Sequence, residues 1–265
     1  MMEQFLMLCG SFRQELQDEI IVNDMVTEIA GEVPRMDKAL RLVKARERIA
    51  SLKQQGLPPE FTVSLDTRMR GTEFIAEECK VMDSKKLPLW LTIRNSQPGG
   101  RSIKIIFKTG DDLKQDQLTL QLIRIMDKIW LDNGLDLRMK PYRVLSTADQ
   151  AGMLEVVLDS ETTSDIHTKF GGGAIGAFNK KSIQNYIAKW NTDPESFANA
   201  KENFIRSCAG YAVATYCLGI GDRHSGNIML TKSGHLFHID FGHFLGNFKS
   251  KFGIKRGNLS SVKYL

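Results

Sequence analysis

Two short polar turns near the C-terminal end of the sequence carry residue types that handle phosphates and metal ions. The first reads Asp-Arg-His at 222–224, with Asn227 close behind, and the second reads Asp-Phe-Gly at 240–242. An asparagine and an aspartate can hold magnesium on nucleotide phosphates, while a nearby acid or imidazole orients an attacking hydroxyl. The ordered set favours phosphoryl transfer over a catalytically silent strand-turn-strand with polar surface residues.

The residues between the two turns predict the element that brings them together. Apolar runs at 227–231 and 235–239 flank the tripeptide Lys-Ser-Gly at 232–234, which is a hairpin signal. A hairpin places the start of its first strand beside the end of its second strand. We therefore expect Asn227 and Asp240 to converge at one end.

Composition and charge are those of a globular protein with a mild basic excess. The chain has 265 residues, 42% hydrophobic and 25% charged, which suits one large or two modest domains. A net charge of +5 leaves nucleic acid, a membrane surface and phosphorylated substrates open as partners. Four cysteines without Cys-x-x-Cys spacing argue against zinc and disulfides and indicate a reducing, intracellular setting. We find neither a run of roughly 20 apolar residues nor the basic n-region of a signal peptide, so we expect any membrane to be met from the water side.

The first part of the chain predicts helices followed by a sheet. Apolar residues recur at helical spacing in 1–55, and the interspersed acids and bases favour a solvated face over nucleic-acid binding. Beyond a Leu-Pro-Pro-Glu linker at 57–60, the segments 74–82, 87–94 and 102–108 predict three antiparallel strands.

Lys108 ends the third strand and follows an apolar run, so its stem would cross buried sheet. Kinases place a lysine at such a position, where it reaches nucleotide phosphates and an acid on the following helix. Residues 111–131 predict that helix. Asp116 near its start is either the partner of Lys108 or an exposed acid that stabilises the helix dipole. The apolar stripe that we expect to pack on a sheet comprises Leu118, Leu122, Met126 and Ile129.

The middle of the chain predicts a connector and two further helices. Segments 142–147 and 153–158 predict a pair of strands. The residues at the end of the second strand either offer main-chain groups to the edge of an adenine ring or only pack at the edge of the sheet. The Gly-rich tract at 171–176 lacks the lysine and the strand-helix context of a P-loop, so we interpret it as a flexible connector. Helices are predicted at 180–190 and 194–218.

In this order the pieces closely resemble the catalytic subunit of a class I phosphoinositide 3-kinase, from about residue 1 to Arg256. The motifs that carry the resemblance are Cys-Lys-Val-Met-Asp-Ser-Lys-Lys at 79–86, Pro-Leu-Trp at 88–90, Phe-Lys at 107–108, Gly-Asp-Asp-Leu-Lys-Gln-Asp at 110–116, Gly-Leu-Asp-Leu-Arg-Met at 134–139 and Ser-Cys-Ala-Gly-Tyr at 207–211.

The resemblance implies an α+β, two-lobed protein-kinase-like fold. It divides the chain into a helical segment at 1–58, a kinase N-lobe with an antiparallel sheet at 59–158, and an incomplete helical C-lobe at 159–265. The implied activity is transfer of the γ-phosphate of ATP, with Mg2+, to the 3-hydroxyl of phosphoinositides in intracellular signalling.

The resemblance also assigns residues that bind the nucleotide. Those implied in phosphate binding are Ser84, Lys85, Lys86 and Lys108, with Asp116 as partner of the strand lysine and His243 at the γ-phosphate. Those that would line the nucleotide pocket are Met82, Trp90, Ile106, Tyr142, Met229, Phe237 and Ile239, with Glu155, Val156 and Val157 as the hinge.

Magnesium and the acceptor hydroxyl are assigned to the two polar turns. Asn227 and Asp240 would bind magnesium. His224 is our first choice as general base, because imidazole is the side chain whose unperturbed pKa lies near neutrality. Asp222 would orient it or the substrate hydroxyl, and the reverse assignment stays open. We interpret Arg223 as a structural ion-pair partner.

The residues after Asp240 indicate an anionic substrate. The basic residues that would pair with the lipid headgroup are Lys249, Lys251, Lys255 and Arg256. In the resembled family this segment is the activation loop, so the 4- and 5-phosphates of phosphatidylinositol 4,5-bisphosphate are the implied partners. An anionic bilayer adds about 1 kcal/mol per nearby basic residue. The resemblance thus implies a cytoplasmic protein recruited peripherally to the plasma membrane, with a regulatory subunit and no nucleic acid.

After Arg256 the sequence departs from the family pattern, which continues with Glu-Arg-x-Pro-Phe and further helices. We therefore expect an incomplete chain with little lipid kinase activity when isolated, and apolar surface exposed around Tyr211, Phe241 and Phe244. Two alternatives stay open. One is a protein kinase of the related phosphoinositide-kinase-like group, against which the basic loop counts. The other is a truncated, non-catalytic module that binds nucleotide or competes for partners.

Overall fold

The helices predicted for residues 1–55 are present in the computed structural model, which describes residues 2–171, 181–242, 250–251 and 254–255. They are α1 (Met2–Leu8), α2 (Phe12–Glu32) and α3 (Arg41–Ser51). After α3 a short 3-10 turn ends at Gly56, whose φ of +96° lies in the left-handed region that glycine adopts at little cost.

Helices α2 and α3 cover one face of an antiparallel sheet. Its strands are β1 (Phe61–Thr62), β2 (Arg70–Phe74), β3 (Lys80–Val81), β4 (Leu89–Asn95), β5 (Ile103–Thr109), β6 (Val144–Ala148) and β7 (Ala151–Glu155). They follow the order β1-β2-β4-β5-β7-β6, and β3 pairs with β4.

The covered face of the sheet forms a hydrophobic core with α2 and α3. Val26 and Ile29 of α2 and Ile49 of α3 are buried in one cluster with Leu91 and Phe107 of the central strands. Burial of each such side chain contributes about 1.5–3 kcal/mol. This packing anchors β4 and β5, which carry the residues predicted to meet the nucleotide.

The prediction of one strand over residues 74–82 is wrong. β2 ends at Phe74, a 3-10 turn follows at Ala76–Glu78, and β3 begins at Lys80. The amide of Cys79 bonds locally to the carbonyl of Ala76 at 3.1 Å, while the Cys79 thiol accepts the amide of Thr92 at 3.4 Å. A buried sulfur therefore replaces part of the strand ladder.

The remaining elements form a second unit of helices with a small sheet. The three-stranded antiparallel sheet has the order β10-β9-β8, and β11 pairs with β12. The elements are α4 (Lys114–Asp132), β8 (Ser160–Thr162), α5 (Thr163–Phe170), α6 (Ser182–Trp190), α7 (Pro194–Cys217), β9 (Ile228–Thr231), β10 (Leu236–His238), β11 (Ser250–Lys251) and β12 (Ile254–Lys255).

The helix predicted at 111–131 is present as α4, but two of the four residues of the predicted packing stripe are exposed, and Leu122 and Met126 are only half-buried. Leu118 and Ile129 are 48% and 54% exposed. The buried residues of α4 are Asp116, Thr119, Leu120 and Ile123. The buried face therefore includes polar residues, which a pattern of apolar residues alone does not reveal.

The chain forms two compact units, and the three segments implied by the resemblance stay a prediction. One comprises Met1–Lys114 and Arg143–Val156, and the other Gln115–Tyr142 and Val157–Leu265. The N-terminal helices thus share a unit with the sheet, and residues 115–142 belong to the second unit. The predicted α+β class is confirmed. Within the part of the chain that the structure describes, no helix combines the length and apolar character of a membrane-spanning segment.

Candidate active site

The predicted hairpin is present as β9 and β10. Ile228 pairs with His238, and the amide of Ile239 donates to the carbonyl of Asn227 at 3.0 Å. Asn227 therefore lies at the same end of the hairpin as Asp240, which follows Ile239 directly. The convergence expected from the turn chemistry is confirmed.

Two acids at this end have a left-handed backbone. Asp222 has a φ of +56° and Asp240 a φ of +58°. The left-handed region costs a non-glycine residue roughly 1–2 kcal/mol, although aspartate and asparagine tolerate it better than most. Such strain persists where surrounding contacts impose it, and it concentrates at functional sites.

Asn227 is buried and has a defined orientation. Its side-chain nitrogen Nδ2 donates to the carbonyl of Asp222 at 3.0 Å. Because the nitrogen is used in this bond, the oxygen Oδ1 is the side-chain atom that can serve a cation. The same bond ties the first polar turn to the hairpin.

Arg223 holds the backbone around Asp240. It donates to the carbonyls of Gly221 at 3.0 Å and Ile239 at 2.7 Å, and also to the carbonyl of Asp240. Its guanidinium carbon lies 5.4 Å from the ring centroid of Phe241. Burial lowers the pKa of Arg223, and the Asp240 and Asp222 carboxylates oppose that effect. Its hydrogen-bond partners here are main-chain carbonyls, whereas the sequence suggested an ion pair.

Asp116 of α4 forms a hydrogen bond to the main chain directly after Asp240. It is 8% exposed, and its oxygen Oδ1 accepts the amide of Phe241 at 3.0 Å. The alternative of an exposed first-turn acid is therefore wrong. The predicted pairing with Lys108 stays a prediction.

The expected exposure around Tyr211 and Phe241 is wrong. Both side chains are 0% exposed. Tyr211 stacks on His238 with ring centroids 5.1 Å apart, and Phe241 lies under the guanidinium of Arg223. Phe244 lies outside the described residues.

His224 is exposed, and its ring nitrogen Nδ1 accepts the amide of Gly226 at 3.1 Å. In the neutral ring this bond places the proton on Nε2, which is then a donor. The geometry favours the second of the two assignments, in which Asp222 receives the hydroxyl proton. Both roles stay predictions.

Sequence reasoning missed two residues that support the first polar turn. The hydroxyl of Thr163 and the amide of Ser164 both donate to the carbonyl of Ser225, at 2.9 and 3.0 Å. They lie at the start of α5, where the side chain of Thr162 accepts the amide of Asp165 at 3.1 Å. The Thr-x-x-Asp pattern is a capping signal and could have located this helix.

The residues at the hairpin end suit magnesium bound to a nucleotide. Magnesium prefers hard oxygen ligands, keeps several waters and takes one or two protein groups plus substrate phosphates. Asn227 and Asp240 offer such oxygens. Among the described residues there is no group of three or more His, Cys, Asp or Glu side chains that could enclose a metal on its own. These two oxygens fit a magnesium ion that substrate phosphates also bind, and the assignment of Asn227 and Asp240 as its ligands stays a prediction.

The predicted nucleotide residues of the first unit share one face of its sheet. Trp90 pairs with Ile106, Ile106 with Leu154, and Lys108 with Gly152. Paired residues in antiparallel strands point to the same side, and alternate residues do so along a strand. Trp90, Ile106 and Lys108 therefore lie together on the face opposite the core.

The predicted phosphate loop lies beside the turn that follows β5. The amide of Leu87 donates to the carbonyl of Ser84 at 3.0 Å, and the amide of Met82 to that of Pro88 at 2.8 Å. A Cβ added at Gly110 would meet the Lys86 ammonium at 3.2 Å. Lys85 belongs to the same loop and is exposed. The loop thus carries its charge at the end of β5.

Three predicted pocket residues of the second unit, Met229, Phe237 and Ile239, lie on or next to the β9–β10 hairpin, and Tyr142 packs against one of them. The Tyr142 ring meets Phe237 edge to face at 6.3 Å, and Phe237 pairs with Met229 across the hairpin. Ile239 follows on the same strand end. Burial raises the pKa of Tyr142 well above its ordinary value, so the phenol stays protonated.

The connector at residues 155–157 crosses from one unit to the other. The amide of Glu155 donates to the carbonyl of Arg143 at 2.8 Å, and its carboxylate accepts the amide of Arg143 at 2.8 Å. An adenine edge would therefore meet main-chain groups other than the Glu155 amide. The hinge role of Glu155, Val156 and Val157 stays a prediction.

Several predicted residues lie outside the part of the chain that the structure describes, and two others lie in its last two strands. His243, Lys249 and Arg256 fall outside the described residues, as do residues 172–180 of the Gly-rich connector. Lys251 and Lys255 belong to β11 and β12.

His238, the last residue of β10, makes stability depend on pH. It is 2% exposed, and burial together with the charge of Arg223 lowers its pKa to about 3. The unfolded chain takes up this proton near the ordinary histidine pKa of about 6.5. Stability is therefore lost as the pH falls from 6.5 towards 3.

We expect His238→Phe, which keeps an aromatic ring against Tyr211, to remove this acid sensitivity. Linkage assigns about 2 kcal/mol to the interval from pH 7 to 5. Urea unfolding at pH 7, 6 and 5 measures it. His224→Gln, at an exposed histidine of the same unit, should keep the wild-type slope. An unchanged slope in the phenylalanine variant would contradict the assignment.

Comparison with known proteins adds an independent finding. Residues 102–260 match the sequence profile of the family described as phosphatidylinositol 3- and 4-kinase. Phosphatidylinositol 3-kinase 1 of Dictyostelium discoideum is 48% identical over 257 residues, which cover 97% of this chain and 16% of the relative.

Two further similar proteins also have names of phosphatidylinositol kinases. Phosphatidylinositol 3-kinase 2 of Dictyostelium discoideum is 46% identical over 97% of this chain. The phosphatidylinositol 4-phosphate 3-kinase C2 domain-containing subunit alpha of Pongo abelii is 41% identical over 89% of it. The chain spans only 14% of the length of each of these two relatives.

Proposed function

The chain belongs to the phosphatidylinositol 3- and 4-kinase family, and on that premise we propose that it forms the catalytic core of an ATP-dependent lipid kinase. The proposed reaction transfers the γ-phosphate of ATP to the 3-hydroxyl of a phosphoinositide. The observation that carries the proposal is the convergence of Asn227, Asp222 and Asp240 at one end of the β9–β10 hairpin.

Each group at this end has a proposed task. Asn227, through Oδ1, and Asp240, through its carboxylate, hold magnesium, which when bound neutralises charge on the phosphates. Asp222 receives the proton of the attacking hydroxyl. His224, with its proton on Nε2, donates to a phosphate oxygen. The hydrogen bond from Gly226 to His224 Nδ1 supports this division of roles.

The proposed substrate is phosphatidylinositol 4,5-bisphosphate in an anionic membrane. The support is the basic series Lys249, Lys251, Lys255 and Arg256, which follows the metal-binding end in the sequence. Charge-assisted hydrogen bonds to the two ring phosphates would favour this lipid over unphosphorylated phosphatidylinositol. Action at the cytoplasmic face of the plasma membrane, together with a regulatory subunit, completes the proposal.

We would test the proposal in a chimera, because the chain corresponds to only part of its relatives. The matching 257 residues of Dictyostelium discoideum phosphatidylinositol 3-kinase 1 are replaced by this chain. Radiolabelled ATP is offered with vesicles containing phosphatidylinositol, its 4-phosphate or its 4,5-bisphosphate, and separately with a peptide acceptor. MgATP binding to the 265-residue chain is measured by thermal shift.

We expect label on the 3-position of the lipids, most on the bisphosphate, and thermal stabilisation of the chain by MgATP. Transfer to the peptide but not to lipid would favour a protein kinase instead. Stabilisation without any transfer would favour a nucleotide-binding module. If MgATP does not stabilise the chain and no label is transferred to lipid or peptide, the proposal is wrong.

A further inference from the structure

Three main-chain groups surrounding Asp240 are held by side chains from two other elements. Arg223 of the first polar turn donates to the carbonyls of Ile239 and Asp240. Asp116 of α4 accepts the amide of Phe241. The carbonyl of Ile239 belongs to the peptide before Asp240, and the other two groups belong to the peptide after it.

These contacts restrict both backbone angles of Asp240. A residue's φ and ψ are set by the orientations of the peptide planes on either side, because each plane is rigid. With both planes held, the left-handed φ of +58° is imposed from outside, and so is the direction of the carboxylate. None of the three hydrogen bonds uses the Asp240 side chain, which stays available for a ligand.

Asp116 is itself firmly placed within the second unit. It lies in the first turn of α4, and the same helix donates from Arg124 to the carbonyl of Tyr142 at 2.7 Å. Tyr142 packs edge to face on Phe237 of β10. α4 is therefore tied to the hairpin at two places, once through Tyr142 and once through Asp116.

We propose that Asp116 is a positioning residue, which together with Arg223 clasps the peptides on either side of Asp240 and so sets the geometry of the magnesium ligand. Loss of the clasp frees Asp240 to leave the left-handed region, and the carboxylate then no longer points in one direction. Magnesium binding weakens even though both of its ligands remain. The role in magnesium binding rests on the proposed function, whereas the clasp itself does not.

The test compares four forms of the 265-residue chain. Asp116→Ala removes the acceptor, and Asp116→Asn keeps an oxygen acceptor at Oδ1. Thr119→Ala is the matched control, because Thr119 is a buried polar residue one turn further along α4 whose hydroxyl bonds to the carbonyl of Gln115 at 2.9 Å. Hydrogen exchange of the Phe241 amide is followed by NMR, and the magnesium requirement is followed by thermal shift at fixed ATP.

We expect Asp116→Ala to speed exchange of the Phe241 amide at least tenfold and to raise the half-saturating magnesium concentration about tenfold, where a tenfold change corresponds to about 1.4 kcal/mol. Asp116→Asn should keep both values within about threefold of wild type, and Thr119→Ala should change neither. Asp116→Leu, which fills the volume without an acceptor, replaces the alanine variant if that variant does not fold.

A Phe241 amide that stays protected without Asp116 would overturn the clasp, and so would equal effects of Thr119→Ala and Asp116→Ala. The exchange measurement needs no nucleotide. If the wild-type chain fails to bind MgATP while the Phe241 amide still depends on Asp116, the proposed function falls and the clasp stands.

Discussion

Asp240→Asn should lower phosphoryl transfer by about a thousandfold while leaving the fold intact. The variant keeps the shape of the side chain and removes the negative charge that the proposed magnesium site uses. Losing a metal ligand of this kind costs several kcal/mol in the transition state, and about 4 kcal/mol corresponds to a thousandfold in rate. The measurement is lipid phosphorylation by the chimera together with magnesium-dependent ATP binding by the chain.

Asparagine is the informative replacement because it tolerates the left-handed backbone of Asp240. The clasp also stays in place, since its hydrogen bonds use main-chain groups of residues 239–241. Alanine would add backbone strain to the loss of the ligand and would confuse the two effects.

Asp159→Asn is the matched control. Asp159 also has a left-handed φ, +55°, and its carboxylate pairs with Lys232 at 2.6 Å, beside the turn at the other end of the hairpin. It should keep nearly full activity. Equal losses in the two variants would mean that charge in the second unit, rather than a metal ligand, is responsible. Unchanged activity in Asp240→Asn would remove Asp240 from the magnesium site.

Gly234→Ala should destabilise the chain by about 3 kcal/mol or more. Gly234 turns the hairpin with a φ of +89°, which alone strains any other residue. A Cβ there would also overlap the carbonyl oxygen of Ala200 on α7 and lie 2.7 Å from its carbonyl carbon. Because that obstacle is backbone, the hairpin tip would have to move away from the helix.

The movement would disrupt the contacts that dock the hairpin. The main-chain amide of Leu236 donates to the Ser207 hydroxyl at 2.9 Å. The side-chain nitrogen Nδ2 of Asn203 donates to the carbonyl of Ser233 at 2.9 Å. The bonded hairpin residues, Ser233 and Leu236, lie within two positions of Gly234 in the chain, so a shift of the tip weakens both bonds together.

Gly134→Ala separates strain from overlap. Gly134 lies in the same unit with a φ of +78°, and a Cβ there would meet nothing within 4 Å. It should lose only about 1–2 kcal/mol, the cost of the left-handed backbone. Urea unfolding at neutral pH measures both variants. Equal losses of unfolding free energy in the two variants would show that a Cβ at position 234 does not collide with Ala200.

Elements specified by local chemistry could be predicted from the sequence. The start of α7 is an example: Asp193 caps the helix by accepting the amide of Ser196 at 2.8 Å, and Pro194 follows in the first turn. The β9–β10 hairpin is another, because Gly234 supplies the positive φ that its turn requires. Both signals act between residues a few positions apart.

Elements whose environment is distant in the chain could not be predicted in the same way. The stripe that includes Leu118 suggested which face of α4 is buried, yet the buried face contains Asp116 and Thr119. Periodicity counts apolar residues, and it cannot anticipate a carboxylate that is buried because a main-chain amide 125 positions away meets it.

By itself the sequence determined the candidate chemistry of this protein: which side chains can offer oxygen ligands, that a hairpin brings Asn227 towards Asp240, and that basic residues follow. Only the tertiary structure decided how Asp240 is held. Its left-handed backbone is imposed by hydrogen bonds from Arg223 and Asp116 to main-chain groups. Nearly every residue has a main-chain N–H and C=O group, so residue type and spacing do not show which of these groups will bond to a side chain. Only the folded chain shows which of them form such hydrogen bonds.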